Sequence, residues 1–168
     1  MSVNWKNGLS LLLLLGLFFS FLKNFWNNAK AKPVTKPTIK GDYRSYILAT
    51  LAQNGVYGEL AKYIFSQAAF ETGNFASVIF KEQNNLFGMK LAKVRPTKAT
   101  GEARGHAVFK SLSDSIADYV LYYNYVKLPT AFTSIPAFTE ALKNKKYFEA
   151  NYDLYTKGVE LYYKAYFL

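Results

Sequence analysis

Ser66-Gln67-Ala68-Ala69-Phe70-Glu71-Thr72-Gly73 reads as the last two turns of a helix closed by a glycine. A helix end needs a residue that takes the left-handed conformation just past its last turn, and Gly73 does so without steric cost. Glu71 then falls in the final turn, among carbonyls that lack helical partners. There the helix dipole disfavours a negative charge by about 0.3–1 kcal/mol. Phe70, Phe75 and Phe80 supply apolar surface nearby. A carboxyl held against aromatic rings and carbonyl oxygens has a raised pKa and stays protonated near neutral pH, as a general acid must. The plainer alternative is a surface Glu on the solvent side of an amphipathic helix.

The segments around this helix end are mostly helical by period. Asp42 suits the cap of a helix through Tyr46, Ile47, Leu48 and Leu51, closed by Asn54-Gly55. The Glu71 helix starts near Gly58 or Glu59, with Leu60, Tyr63, Ile64 and Ala68 as its core face and Gln67 one turn before Glu71. A short helical piece is expected near Phe75 to Phe80. The turn-rich Asn84-Asn85-Leu86-Phe87-Gly88-Met89-Lys90 should build a specific loop anchored by Leu86 and Phe87. Between Leu91 and Lys110 the helical period is lost. Pro96, Gly101 and Gly105 punctuate what reads as a small β-hairpin or flap, which holds Arg95, Lys98, Glu102, Arg104 and His106. Such a basic flap could clamp an anionic substrate or simply be solvated.

Ser111-Leu112-Ser113-Asp114 is a capping box for a helix with Ile116, Tyr119, Val120 and Tyr123. Pro136 opens the next helix, with Phe138 and Leu142. Lys145-Lys146-Tyr147-Phe148 forms a junction. A last helix from about Asn151 to Tyr166 buries Leu154, Tyr155, Val159 and Tyr162. The pattern predicts an α+β domain, mostly α, with one small β element.

Composition narrows the chemistry. Half of the 168 residues are hydrophobic, ample for a core, and the 14 Tyr suit both core packing and carbohydrate. No Cys is present, so disulfides and thiolate chemistry are excluded, and the single His106 argues against a His-based metal site. The net charge is +10, of which residues 1–40 carry +6 from six Lys and no acid. The rest is mildly basic, which suits an anionic polymer or ordinary solubility.

Gly8 to Leu22 is an almost unbroken apolar run bracketed by Lys6 and Lys23. Its fully apolar part is about 15 residues, or roughly 23 Å as helix, short for a bilayer core of about 30 Å. Trp5 and Trp26 lie about 31 Å apart on such a helix and could form two interfacial belts. We read residues 1–26 as a single membrane-spanning anchor. A cleaved signal peptide, with Ala29-Lys30-Ala31 as a faint cleavage site, is the competing reading. The lysines after the run would place the C-terminal domain in the cytoplasm by the positive-inside rule, opposite to what a wall-acting domain needs. Residues 27–41, rich in Lys, Pro and Thr, make an extended linker.

Gln67-Ala68-Ala69-Phe70-Glu71-Thr72-Gly73 followed by Asn84-Asn85-Leu86-Phe87-Gly88-Met89-Lys90 resembles the glucosaminidase domain of glycoside hydrolase family 73, found in bacterial and phage peptidoglycan hydrolases. The family pattern is a Gln-Ala-x-x-Glu-Ser/Thr-Gly helix end, then Asn-Leu-Phe-Gly-x-Lys. The likeness continues through Gly105-His106-Ala107-Val108-Phe109 and Ser113 to Tyr119, and spans roughly residues 42–168. Arg95-Pro96-Thr97 and Tyr147-Phe148 with Tyr155 look most like versions from Bacteroidetes and their phages.

The resemblance implies a lysozyme-like helical domain with a hairpin flap, and cleavage of the β-1,4 bond between N-acetylglucosamine and N-acetylmuramic acid without cofactor or metal. Glu71 matches the family's catalytic acid and Tyr147 an active-site Tyr before the last helix. Phe87 and Gly88 match the cleft floor, and Gln67, Asn85 and Tyr119 are expected on the substrate side with them. The second carboxylate varies in position among members. Glu102, the acid of this flap, is the candidate, and the substrate's own acetamido group is the alternative nucleophile. The implied partners are peptidoglycan glycan strands and, through the anchor, a lipid membrane, with no nucleic acid. The implied location is a bacterial inner membrane facing the periplasm or a virion membrane, with a role in local wall opening, as in phage entry or lysis. Two further readings remain: a lytic transglycosylase acting on the same polymer, or a tethered wall-binding or virion structural protein without turnover.

Overall fold

The computed structural model describes residues 43–168. The expected anchor, the linker and the Asp42 cap lie outside these residues. Among the described residues no helix is long and apolar enough to cross a membrane. The elements are α1 (Tyr43–Gln53), α2 (Gly58–Glu71), α3 (Val78–Gln83), β1 (Gly101–Ala103), β2 (His106–Val108), α4 (Leu112–Tyr125), α5 (Ile135–Asn144) and α6 (Tyr152–Phe167). The domain is therefore mostly helical with one two-stranded sheet.

α2 is the buried axis. Every residue from Leu60 to Ala69 except Lys62 is buried, because its second half, Tyr-Ile-Phe-Ser-Gln-Ala-Ala-Phe, is apolar or small on all sides. α1 and α6 pack along it. α6 approaches closely at Gly158, where a Cβ would stand only 2.2 Å from the Phe70 ring. The tyrosines of α6 also bind outward with their hydroxyls: Tyr163 donates to Glu59 at 2.8 Å and Tyr166 to Asn74 at 2.5 Å. The Tyr-rich composition is thus largely a seam of amphipathic side chains, ring in the core and hydroxyl on a polar neighbour.

Four helices begin on a side-chain oxygen. Ser77, Ser111, Ser134 and Asn151 accept the amide hydrogens of Phe80, Asp114, Ala137 and Leu154. Each such cap stabilises its helix by about 1 kcal/mol. Leu154, expected in the core, is instead 69% exposed, since α6 buries Tyr155, Thr156 and Val159 and turns the preceding position outward.

The short helix expected over Phe75 to Phe80 begins later, at Val78. Its expected start is taken up by a turn, for Gly73, Asn74 and Phe75 are all left-handed, with φ of 55°, 57° and 62°. Thr72 closes that turn. Its Oγ accepts from the Phe75 amide at 2.9 Å, and its carbonyl accepts from Ala76 and Ser77. Phe75 thereby enters the core against Tyr43, Phe65 and Phe80.

The hairpin is antiparallel, pairing Glu102 with Ala107 around the turn Arg104-Gly105. Both turn residues have positive φ, as a two-residue turn matched to strand twist requires. The hairpin docks on the Asn-Leu-Phe-Gly segment: the Ala107 amide donates to the Met89 carbonyl at 2.8 Å and the Phe109 amide to Gln83 at 2.9 Å.

Candidate active site

Asn85 builds the loop that follows α3. Its Oδ1 accepts from the amides of Phe87 and Met89, and its Nδ2 donates to the carbonyls of Met89 and Ala107, each at 2.9 Å. With all of this internal, Asn85 is buried and does not reach a ligand surface. The Leu86 amide is held by Ser115 of α4 at 3.0 Å. The Phe87 ring stacks on Tyr119 at 4.1 Å, and its carbonyl accepts from the Tyr147 hydroxyl at 2.6 Å. Gly88 follows with φ of 60°, a left-handed residue packed beside Glu71: a Cβ there would lie in ordinary contact, 3.5 Å from Glu71 Oε2.

Phe87 and Gly88 form the floor of a groove of about 620 Å³, within the range of about 300–1,000 Å³ common for ligand clefts. Phe70 and Glu71 come from the end of α2, with Tyr155 against them, and Tyr147 to Ala150 also line the groove. Met89 to Arg95, an irregular strap, forms a further wall with Tyr122 and Tyr125 of α4. Phe148 lies flat on Tyr155, ring centroids 3.7 Å apart and 7° from parallel.

Glu71 is only partly exposed. Burial pushes its carboxyl above the ordinary value, against a hydrogen bond from the Tyr155 hydroxyl to Oε1 at 2.6 Å that pulls it down. Burial, then the charge of Glu71, holds the Tyr155 hydroxyl well above its usual range, so it remains a donor. Tyr147 is raised by the same two causes. The raised carboxyl expected from the helix end is present, and its main cause is loss of water.

The strap is held by one carboxylate. Asp118, on α4 and 1% exposed, accepts from Arg95 Nη2 at 2.7 Å, from Thr97 Oγ at 2.6 Å and from the Lys98 amide at 2.7 Å. Burial pushes the Asp118 carboxyl up. The bonds from Arg95, Thr97 and Lys98 outweigh it, and the net value lies below the ordinary one.

The structure thus brings Glu71, Tyr147, Phe87 and Gly88 together on one groove. It places Gln67 and Tyr119, each 0% exposed, behind the wall, together with Asn85. Glu102 is exposed on β1 and does not line the groove, whose carboxylates among the described residues are Glu71 and Glu149. The hairpin expected as the clamp is not a wall of the groove either. Its tie to Met89 and Gln83, and the Arg104–Glu82 ion pair at 3.0 Å, set it on α3, and the strap before it borders the groove instead. The partners missed by sequence reasoning are Tyr155 and Asp118. Helical period marks Tyr155 as buried but nothing local ties it to a residue 84 positions earlier, and an Asp off the apolar face of α4 gives no sign of burial.

A mostly helical domain that holds a carboxyl above its ordinary pKa on the wall of a cleft this size has the equipment of a glycosidase. Residues 48–166 match the glucosaminidase family, described as mannosyl-glycoprotein endo-beta-N-acetylglucosaminidase, and the chain belongs to that family of glycoside hydrolases. It is 39% identical over 61 residues to Protein bax of Escherichia coli (strain K12), a match over 36% of this chain and 22% of that protein. Two solved structures share the fold. One is a type VI secretion system effector–immunity complex from Pseudomonas protegens, with TM-score 0.57 and 19% identity over 75% of this chain and 89% of that one. The other is the catalytic domain of the autolysin Auto from Listeria monocytogenes, with TM-score 0.51 and 16% identity over 86% of this chain and 94% of that one.

Proposed function

We propose that this domain is a peptidoglycan hydrolase that cleaves the β-1,4 bond between N-acetylglucosamine and N-acetylmuramic acid. The observation that carries the reading is the Glu71 carboxyl, raised by burial, one oxygen on Tyr155 and the other toward Gly88 in the groove. Glu71 protonates the leaving glycosidic oxygen. The Tyr147 hydroxyl is spent on the Phe87 carbonyl, so Tyr147 meets the sugar with its ring. Lys90, Lys93, Lys145 and Lys146 border the groove and suit the carboxylates of the muramyl peptide.

The oxocarbenium-like centre needs a second group about 5–9.5 Å from the acid in a two-carboxylate scheme. With Glu102 outside the groove lining, the substrate's acetamido group is the nucleophile in this proposal. Glu102→Gln then retains kcat within about threefold, whereas loss on the scale of general acid–base catalysis, about 10²–10⁴-fold, would bring the hairpin over the groove. One catalytic acid acting without a carboxylate nucleophile also suits a lytic transglycosylase, which would leave a 1,6-anhydro muramyl end. Product masses after digestion of purified peptidoglycan test the reading: reducing N-acetylglucosamine ends support it, and anhydro ends or no release contradict it.

The proposed setting is a membrane, through residues 1–26, with the domain toward the wall from a bacterial inner membrane or a virion. The apolar run between Trp5 and Trp26 supports it.

A further inference from the structure

Three buried side chains form a directed chain of hydrogen bonds that ends on Glu71. Tyr119 and Gln67 lie 2.6 Å apart at Oη and Oε1, Gln67 Nε2 and Tyr155 Oη 3.1 Å apart, and Tyr155 Oη and Glu71 Oε1 2.6 Å apart. The separations fix the direction. A hydroxyl donating to an oxygen sits at about 2.5–3.0 Å, and an amide N–H donating to an oxygen at about 2.7–3.2 Å. Tyr119 therefore donates to the Gln67 carbonyl, and the Gln67 amide group must face Tyr155. A tyrosine hydroxyl has one proton. Since Gln67 presents an N–H to the Tyr155 oxygen, that proton has only Glu71 to go to.

A carboxyl oxygen that accepts from Tyr155 is not the one that carries the acid proton. The proton belongs on Oε2, which lies 3.5 Å from where a Gly88 Cβ would stand, and both Gly88 and Glu71 line the groove. We propose that Gln67 and Tyr155 are positioning residues: they place the transferable proton of Glu71 on the oxygen that faces the substrate. This rests on the reading of Glu71 as the acid. On turnover the proton leaves Oε2 for the glycosidic oxygen, which also keeps the electron pair of the breaking bond to the sugar carbon. The negative charge left on Glu71 is met at Oε1 by Tyr155. One hydrogen bond thus aims the proton before transfer and stabilises the carboxylate after it.

The tyrosines Tyr119, Tyr147 and Tyr155 face Glu71, and burial holds all three hydroxyls well above their usual value. The groove also carries Lys90, Lys93, Arg95, Lys145, Lys146 and the carboxyl of Glu149. The titration is therefore read at Glu71 itself.

The test uses the full chain with ¹³C-labelled glutamate, as wild type, Tyr155→Phe, Gln67→Met and the double variant. Tyr155→Phe keeps the ring on Phe148 and removes the hydroxyl, both the donor to Glu71 and the acceptor of the Gln67 amide. The Glu71 carboxyl signal should titrate at higher pH in Tyr155→Phe, and the alkaline limb of the rate profile should move the same way. kcat should fall by about tenfold, with KM within about twofold, as expected for loss of an interaction made in the transition state. Gln67→Met should shift both in the same direction by less, and the double variant should be no slower than Tyr155→Phe alone. An unmoved Glu71 titration in Tyr155→Phe, or losses that multiply in the double variant, would overturn the relay. If the wild type releases nothing from peptidoglycan, the hydrolase reading fails, while the carboxyl titration still decides the relay.

Discussion

Glu71 carries a cost that can be measured without any substrate. Its carboxyl is raised in the folded domain because burial disfavours the charge. Between the ordinary carboxylate value and the raised one, the native state holds more protons than the unfolded state, so stability falls as pH rises through that window. Glu71→Gln removes the ionisation and keeps the shape. The variant should be no more stable than wild type below the ordinary carboxylate range, gain stability as pH rises through the window, and hold a constant advantage above it. Thermal melting at a series of pH values reads this, since each kcal/mol in a domain of this size moves Tm by about 3–6 °C. An advantage that is the same at every pH would mean that the carboxyl is not raised.

Asp118 has the opposite sign. Its folded value is lowered, so its contribution is present above the ordinary carboxylate range and is lost as pH falls through the lowered value. Asp118→Asn leaves Arg95, 5% exposed at its side chain, without its counter-charge and should cost about 3–5 kcal/mol in a neutral urea melt. The same comparison in acid should show a smaller gap. With Arg95 on the groove wall, the loosened strap should also raise KM more than it lowers kcat.

Among the elements, α2 and α6 set the site between them. Gly158→Ala would drive a methyl group into the Phe70 ring, and Phe70 stands edge-on to Tyr155 at 5.2 Å. Overpacking of this kind costs about 1–3 kcal/mol. Because the ring that must move leans on the Glu71 partner, kcat should fall in a variant that still melts cooperatively. Helix positions were legible from apolar period, from Ser111 and Pro136, and from the glycine after Glu71. The late start of α3 was not, because three successive left-handed residues have only one glycine among them. The bonding that holds the groove together was not legible either. The bonds joining Tyr155 to Glu71 and Arg95 to Asp118 are long-range, and a single sequence names the partner of neither. Asn-Leu-Phe-Gly was readable as a built loop, yet its Asn proved to be the builder and its Phe and Gly the floor.

For the whole molecule, net charge and the N-terminal run make one further expectation. Of the +10 charge, +6 belongs to residues 1–40, ahead of the domain that holds the groove. The proposed anchor predicts that the full chain stays with membranes through an alkaline carbonate wash, and that removing residues 1–41 releases it. A full-length chain found in the wash would remove the anchor and leave the groove chemistry untouched. That chemistry is tested most directly by incubating purified peptidoglycan with the full chain and with Glu71→Gln, followed by mass analysis of the soluble products. The account predicts fragments with reducing N-acetylglucosamine ends from the wild type and none from a variant that is folded. Equal release by the two proteins would contradict it.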